Sequence, residues 1–188
     1  MAAMNSLTID STGVMKDEYG RTRQGTQKAY TLTVGEENID LSQKNLGPAD
    51  VALVAAWLQR PEVMAAVADL NISKAIIGDA GATLVEAISS SSTLNFITLG
   101  KGLRLPLNVN YDSDVLDASD KGIESGGVAV IAWWLTTSGA AIEEMNISKN
   151  DIGVGGAQAF ARVIPTSCLK WLIIGPNGTR VPANTDQI

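Results

Sequence analysis

An α/β solenoid is the fold class this sequence predicts: about seven short strands in one curved parallel sheet on a concave side, with helices on the convex side. Three observations predict it. The first is self-similarity. Leu70-Asn71-Ile72-Ser73-Lys74, followed by Ile77-Gly78 and Gly81-Ala82, returns 75 positions later as Met145-Asn146-Ile147-Ser148-Lys149, Ile152-Gly153 and Gly156-Ala157, and a fixed internal period decides architecture ahead of local propensity. The second is a strand signature, two inward apolar residues flanking one outward residue, which occurs seven times. The third is a set of four segments with helical spacing of apolar residues between those strands.

The inward pairs, in order, are Leu7 and Ile9, Ile39 and Leu41, Leu70 and Ile72, Ile97 and Leu99, Leu116 and Ala118, Met145 and Ile147, and Leu172 and Ile174. Their second members are separated by 32, 31, 27, 19, 29 and 27 positions. The helical segments are 48–59, 79–90, 126–137 and 153–163, each opening on Pro, Asp or Gly, residues suited to a helix start. In the second, Ala80, Leu84, Ala87 and Ile88 recur at three and four residues and should face the strands. Two segments break the rhythm. Residues 10–38 hold turn residues and the alternating run Tyr30-Thr31-Leu32-Thr33-Val34, and so read as an insertion with hairpin character. Residues 100–115 hold Leu103-Arg104-Leu105-Pro106-Leu107, alternating but broken by proline. They read as an extended convex segment without room for a helix.

A longer period overlies the short one. The whole chain, 1–188, reads as a single domain built of one cassette at about 7–96, a second at about 97–171 and a partial third copy at 172–188. Arg180, Pro182 and Asn184 echo Arg104, Pro106 and Asn108. The end repeats need shielding, because a stacked unit buries its apolar face only against a neighbour.

At the 70–82 and 145–157 segments the chain resembles the ribonuclease-inhibitor-like class of leucine-rich-repeat proteins, and the spacings bracket the roughly 20 to 29 residues of such repeats. The resemblance covers most of residues 36–175 and implies a curved solenoid that acts by binding protein partners. One departure stands out: the position the family usually fills with a ladder of asparagines is Asn only at Asn150, with Lys44, Ala75 and Lys121 at the equivalents. No match exists to the arginine motif of the Ran GTPase-activating branch, so that activity is not carried over.

Composition narrows the chemistry. Twenty acids against 14 basic residues give a net charge of -6, which argues against binding nucleic acid, since phosphate neutralisation needs clustered Lys and Arg. Histidine is absent and Cys168 is the one cysteine, so disulfides, ordinary zinc sites and His-dependent triads are not expected. The acids Asp112, Asp114, Asp117 and Asp120 lack the Gly and Glu of a calcium loop, with Asp117 and Ile123 in their places, and no metal or cofactor is expected. No signal peptide or transmembrane segment is read, which favours an intracellular, cytoplasmic protein. Asn-x-Ser/Thr triplets at Asn71, Asn146 and Asn177 read as chance.

Function should then reside on the outward strand residues of the concave face. The expected partner-binding set is Phe96 and Trp171 as aromatic anchors, with Asp40, Asp69, Asn71, Lys74, Lys101, Asp117, Glu144, Asn146 and Lys149 around them. The leading reading is a non-enzymatic scaffold for a protein partner, with no nucleic acid and no membrane involved. The alternatives are an enzyme or enzyme activator working through the insertions, where Tyr19, Arg21, Arg23 and Asp112 to Asp120 are the candidates, and a repeat protein that self-associates through its ends or Trp133.

Overall fold

The computed structural model describes residues 4–17, 19–137 and 141–183. In chain order the elements are β1 (Ser6–Asp10), β2 (Val14–Lys16), β3 (Thr22–Gln24), β4 (Ala29–Thr33), β5 (Asn38–Asp40), α1 (Pro48–Leu58), α2 (Pro61–Met64), β6 (Asp69–Asn71), α3 (Gly81–Ser89), β7 (Phe96–Leu99), β8 (Leu103–Pro106), β9 (Val115–Asp117), α4 (Ser125–Leu135), β10 (Glu144–Asn146), α5 (Gly153–Val163), β11 (Trp171–Ile174) and β12 (Thr179–Pro182). The four expected helices are α1, α3, α4 and α5. Pro48 opens α1 and Pro61 opens the additional short α2, each at a position where a missing N–H costs nothing.

The strands divide among four small sheets: β1-β4, β2-β3, β5-β6-β7-β8 and β9-β10-β11-β12. The expected solenoid with one curved parallel sheet of about seven strands does not form. The fold is mixed α/β with several small sheets, and the description as a leucine-rich-repeat solenoid is corrected accordingly. The physical cause lies in the return strands. After Leu99 the chain turns through Gly100-Lys101-Gly102, with φ of 51° and 92° at the two glycines, and β8 runs back antiparallel to β7 with Leu99 opposite Leu103. Within residues 100–115 the stretch 103–106 is extended as expected, but this strand forms the edge of the sheet and does not run along a convex surface. After Ile174 the same reversal pairs β12 antiparallel with β11. Pro106 and Pro182 end the two return strands, at sheet edges where proline is tolerated. β1 likewise pairs antiparallel with β4 and joins no parallel ladder.

Beneath the sheets the inward residues meet the helices in one core. Leu70, Ile97, Leu99, Ala118 and Met145 are fully buried, and Tyr30 and Leu32 of β4 are buried with them. Leu7 and Ile9 of β1 are only half-buried and pack on its edge. Each fully buried leucine or isoleucine stabilises the fold by roughly 1.5 to 3 kcal/mol. Helices α1, α3, α4 and α5 pack in succession along the other side. The α3–α4 approach is as close as backbone allows: a Cβ added to Gly81 would lie 2.8 Å from the carbonyl oxygen of Gly126, and one on Gly126 would run into the backbone of Gly78. Only glycine fits at both places.

Two carboxylates stitch these layers together. Asp50 on α1 is buried and accepts from Thr12 N (2.9 Å), Thr12 Oγ1 (2.5 Å), Gly47 N (2.9 Å) and Tyr30 Oη (3.2 Å). It ties the N-terminal ribbon to the first helix. Burial, with Asp50 beside it, pushes the Tyr30 hydroxyl well above its ordinary value. Glu124 caps α4 through Gly126 N (3.0 Å) and Gly127 N (3.3 Å), and also accepts from Ile77 N and Gly78 N at 3.1 Å.

The duplicated tryptophans differ. Trp134 Nε1 donates to the Pro106 carbonyl at 2.5 Å and Tyr111 meets its ring edge-on at 5.3 Å. Trp57 Nε1 is buried without a partner among the described residues, while Arg60 stacks 4.5 Å from the centre of its ring. Trp133 is half-buried against the core and forms no exposed convex patch. Among the described residues no helix is long and apolar enough to cross a membrane.

Candidate binding face

Strand alternation leaves the side chains flanking each inward residue on the outer face of the two four-stranded sheets. Register then aligns them in rows. Asn38, Asp69, Phe96 and Pro106 form one row of the first sheet, and Asp40, Asn71, Thr98 and Arg104 form another. The second sheet repeats both, as Val115, Glu144, Trp171 and Pro182, and as Asp117, Asn146, Ile173 and Arg180.

The return strands bring two arginines onto the expected aromatic anchors. The Arg104 guanidinium lies 3.5 Å from the centre of the Phe96 ring and is paired with Asp69. Arg180 lies 3.9 Å from the Trp171 ring and donates to Glu144 Oε2 from Nε (2.9 Å) and Nη2 (2.6 Å). Four of the expected residues, Phe96, Asp69, Trp171 and Glu144, therefore belong to two copies of one cluster. Exposed ion pairs contribute about 0 to 1 kcal/mol and exposed cation–π stacks about 0.5 to 1 kcal/mol, so their effect on stability is small. Their larger effect is geometric: stacking holds each guanidinium flat and fixes its fork of donors. The two arginine side chains remain about half exposed, 51% and 49%, so one guanidinium face stays open to a ligand.

Asp40, Asn71, Asp117 and Asn146 have a local role. Each side-chain Oδ1 accepts the backbone N–H two residues on, from Ser42 (2.9 Å), Ser73 (3.0 Å), Ser119 (2.9 Å) and Ser148 (3.1 Å). These Asx turns redirect the chain as it leaves each strand. The Ser119 hydrogen bonds hold the Asp117 carboxyl below the usual range, aided by Lys121. Lys74 and Lys149 stand in the turns at φ of 65° and 59°, and Lys101 pairs with Asp120 at 2.8 Å, which keeps the Asp120 carboxyl low. These lysines lie beyond the strands that carry the arginine clusters.

Arg21 and Arg23 are occupied by Asp17, at 3.0 and 2.5 Å, and Arg21 lies 4.9 Å from the Tyr19 ring centre. None of Asp112, Asp114, Asp117 or Asp120 lines the clefts beside them. The Arg23 guanidinium, followed by the Arg21 backbone and side chain, lowers the Asp17 carboxyl from 3.8 to about 2. Because the folded value is the lower one, this tie is complete above 3.8 and is lost as pH falls through about 2. Amide exchange at Asp17 and Gly20, donors in the β2–β3 turn, should accelerate across that window while the β6 amides stay protected.

Among the described residues no three His, Cys, Asp or Glu side chains converge on a possible metal position. No family model matches the chain, and neither does any curated protein. Sequence reasoning passed over Arg104 and Arg180. The signal that pointed to them was the echo of Arg104 and Pro106 in Arg180 and Pro182.

Proposed function

We propose that this chain is a non-enzymatic protein-interaction module whose outer sheet face engages a protein partner through the two arginine–aromatic–carboxylate clusters. The observation that carries the reading is their repetition: two sheets present the same stacked guanidinium, over Phe96 beside Asp69 and over Trp171 beside Glu144. Arg and Trp are the side chains most often found at the energetic centre of protein interfaces. A stacked guanidinium offers planar donors to a partner's carboxylates or backbone carbonyls with little ordering cost. The lone thiol of Cys168 is exposed, which suits a reducing, intracellular setting.

Arg104→Ala and Arg180→Ala, singly and together, test the reading in a quantitative capture from lysate, with circular dichroism confirming the fold. Each single change should weaken retention of the same partner about tenfold or more, as for an interface anchor, and the double change should abolish it. Equal retention by wild type and the folded double variant would remove the sheet face from consideration.

A further inference from the structure

The β2–β3 ribbon leans over the turns that leave β6 and β7 and encloses a pocket of about 330 Å³. Its lining brings together Lys16 from the ribbon with Lys74, Lys101 and Lys121 from three successive turns. Half of the lysines of a chain with net charge -6 thus face one concavity. Among the described residues Asp17 is the one carboxylate in the lining, and Arg21 and Arg23 already neutralise it. Among the described residues Lys101 pairs with Asp120, whereas Lys16, Lys74 and Lys121 have no ion pair.

Like charges gathered in a concavity focus a positive potential into it; Asp120 beside Lys101 and Asp117 near Lys121 offset part of that charge, and an anion in the pocket would offset the rest. Lys74 adds to the argument. It holds φ of 65°, a conformation uncommon outside Gly and Asn, at a position that lines the pocket. Met15, Ala75 and Ile76 supply apolar wall that limits competing water. The volume is at the lower end of the roughly 300 to 1,000 Å³ of small-molecule sites.

We propose that this pocket binds a small, multiply charged anion of the polyphosphate class, held by Lys16, Lys74, Lys101 and Lys121. Three of the four ammoniums have no ion pair among the described residues, and a chain of phosphate groups, more than a single phosphate, could reach ammoniums from both the ribbon and the turns. The site lies apart from the arginine clusters and does not depend on them.

Calorimetric titration of the full chain with inorganic tripolyphosphate tests the proposal, with orthophosphate and sulfate titrated in parallel. The variants are Lys16→Gln/Lys121→Gln and, as control, Lys170→Gln, whose ammonium pairs with Glu143 elsewhere. Wild type should bind one tripolyphosphate, more tightly than orthophosphate or sulfate. The double variant, with an unchanged dichroism spectrum, should lose about tenfold or more in affinity, as expected for lost hydrogen bonds to charge, and the control should keep wild-type affinity. Absence of saturable binding at millimolar tripolyphosphate, undiminished binding by the double variant, or an equal loss in the control would each overturn the site.

Discussion

Asp50→Ala should destabilise the protein by about 3 to 5 kcal/mol, the sum expected when several buried donors lose a shared carboxylate acceptor at about 1 to 3 kcal/mol each. Asp50 is 5% exposed and accepts four hydrogen bonds from two separate segments. Alanine would leave Thr12 N and the Tyr30 hydroxyl facing a cavity without an acceptor and Gly47 N with Thr12 Oγ1 alone (3.0 Å), so the desolvation penalty of the first two donors would be exposed. For a chain of this size each kcal/mol moves the melting temperature by about 2 to 4 °C, so a drop of roughly 10 °C or more is expected. Asp50→Asn keeps an oxygen for both Thr12 and Gly47, which share Oδ2, at the expense of the Tyr30 acceptor Oδ1, and should recover part of the loss. Thermal melts decide the matter, and an alanine variant melting within a degree or two of wild type would show that the ribbon is not fastened at this point.

Glu124→Ala should follow at about 2 to 4 kcal/mol, because one side chain serves two turns distant in sequence. Its oxygens cap α4 at Gly126 and Gly127 and hold the Ile77-Gly78 turn. Loss of a helix cap costs about 1 kcal/mol, and each further hydrogen bond to a charged group about 1.5 to 3 kcal/mol. Discounting the second term for partial exposure gives the range stated. Glu124→Gln retains one oxygen and should fall between the two. Denaturant midpoints compare the three proteins, and an alanine variant as stable as the glutamine one would mean that the carboxylate holds neither turn.

The core and the helices were legible because they follow from periodicity. Ala80, Leu84, Ala87 and Ile88 recur at helical spacing and are all buried, and the inward members of the parallel strands are buried as alternation requires except Ile174, which is half-buried against the core. The sheet division was not legible. Alternation in Leu103-Arg104-Leu105 marks an extended segment but carries no information about its partner or direction, and both are decided by the reversal at Gly100 and Gly102. The same holds for the site. Phe96 and Trp171 were recognisable as outward aromatics, yet their guanidinium partners come from the return strands, so the clusters could be found only once those strands were placed. Asp40, Asn71, Asp117 and Asn146 looked like a ligand-facing row because outward position alone does not distinguish a free carboxylate or amide from one bonded to the next turn. Asp50 and Glu124 gave no motif, since Glu124 is held by backbone amides and Asp50 by backbone amides together with Thr12 and Tyr30 hydroxyls far away in sequence.

If the sheet clusters act together as proposed, the glycine contact between α3 and α4 would make the pair a ruler. With no side chain between Gly81 and Gly126, the two helices meet backbone to backbone, and a bulkier residue at either position would push them apart and change the interval from one stacked arginine to the other. A ligand whose two contact points match that interval experiences the second cluster at a high effective concentration after meeting the first, whereas one of different spacing gains a single cluster's affinity. On the proposed function, selectivity by length would thereby be set at a backbone contact remote from the binding face.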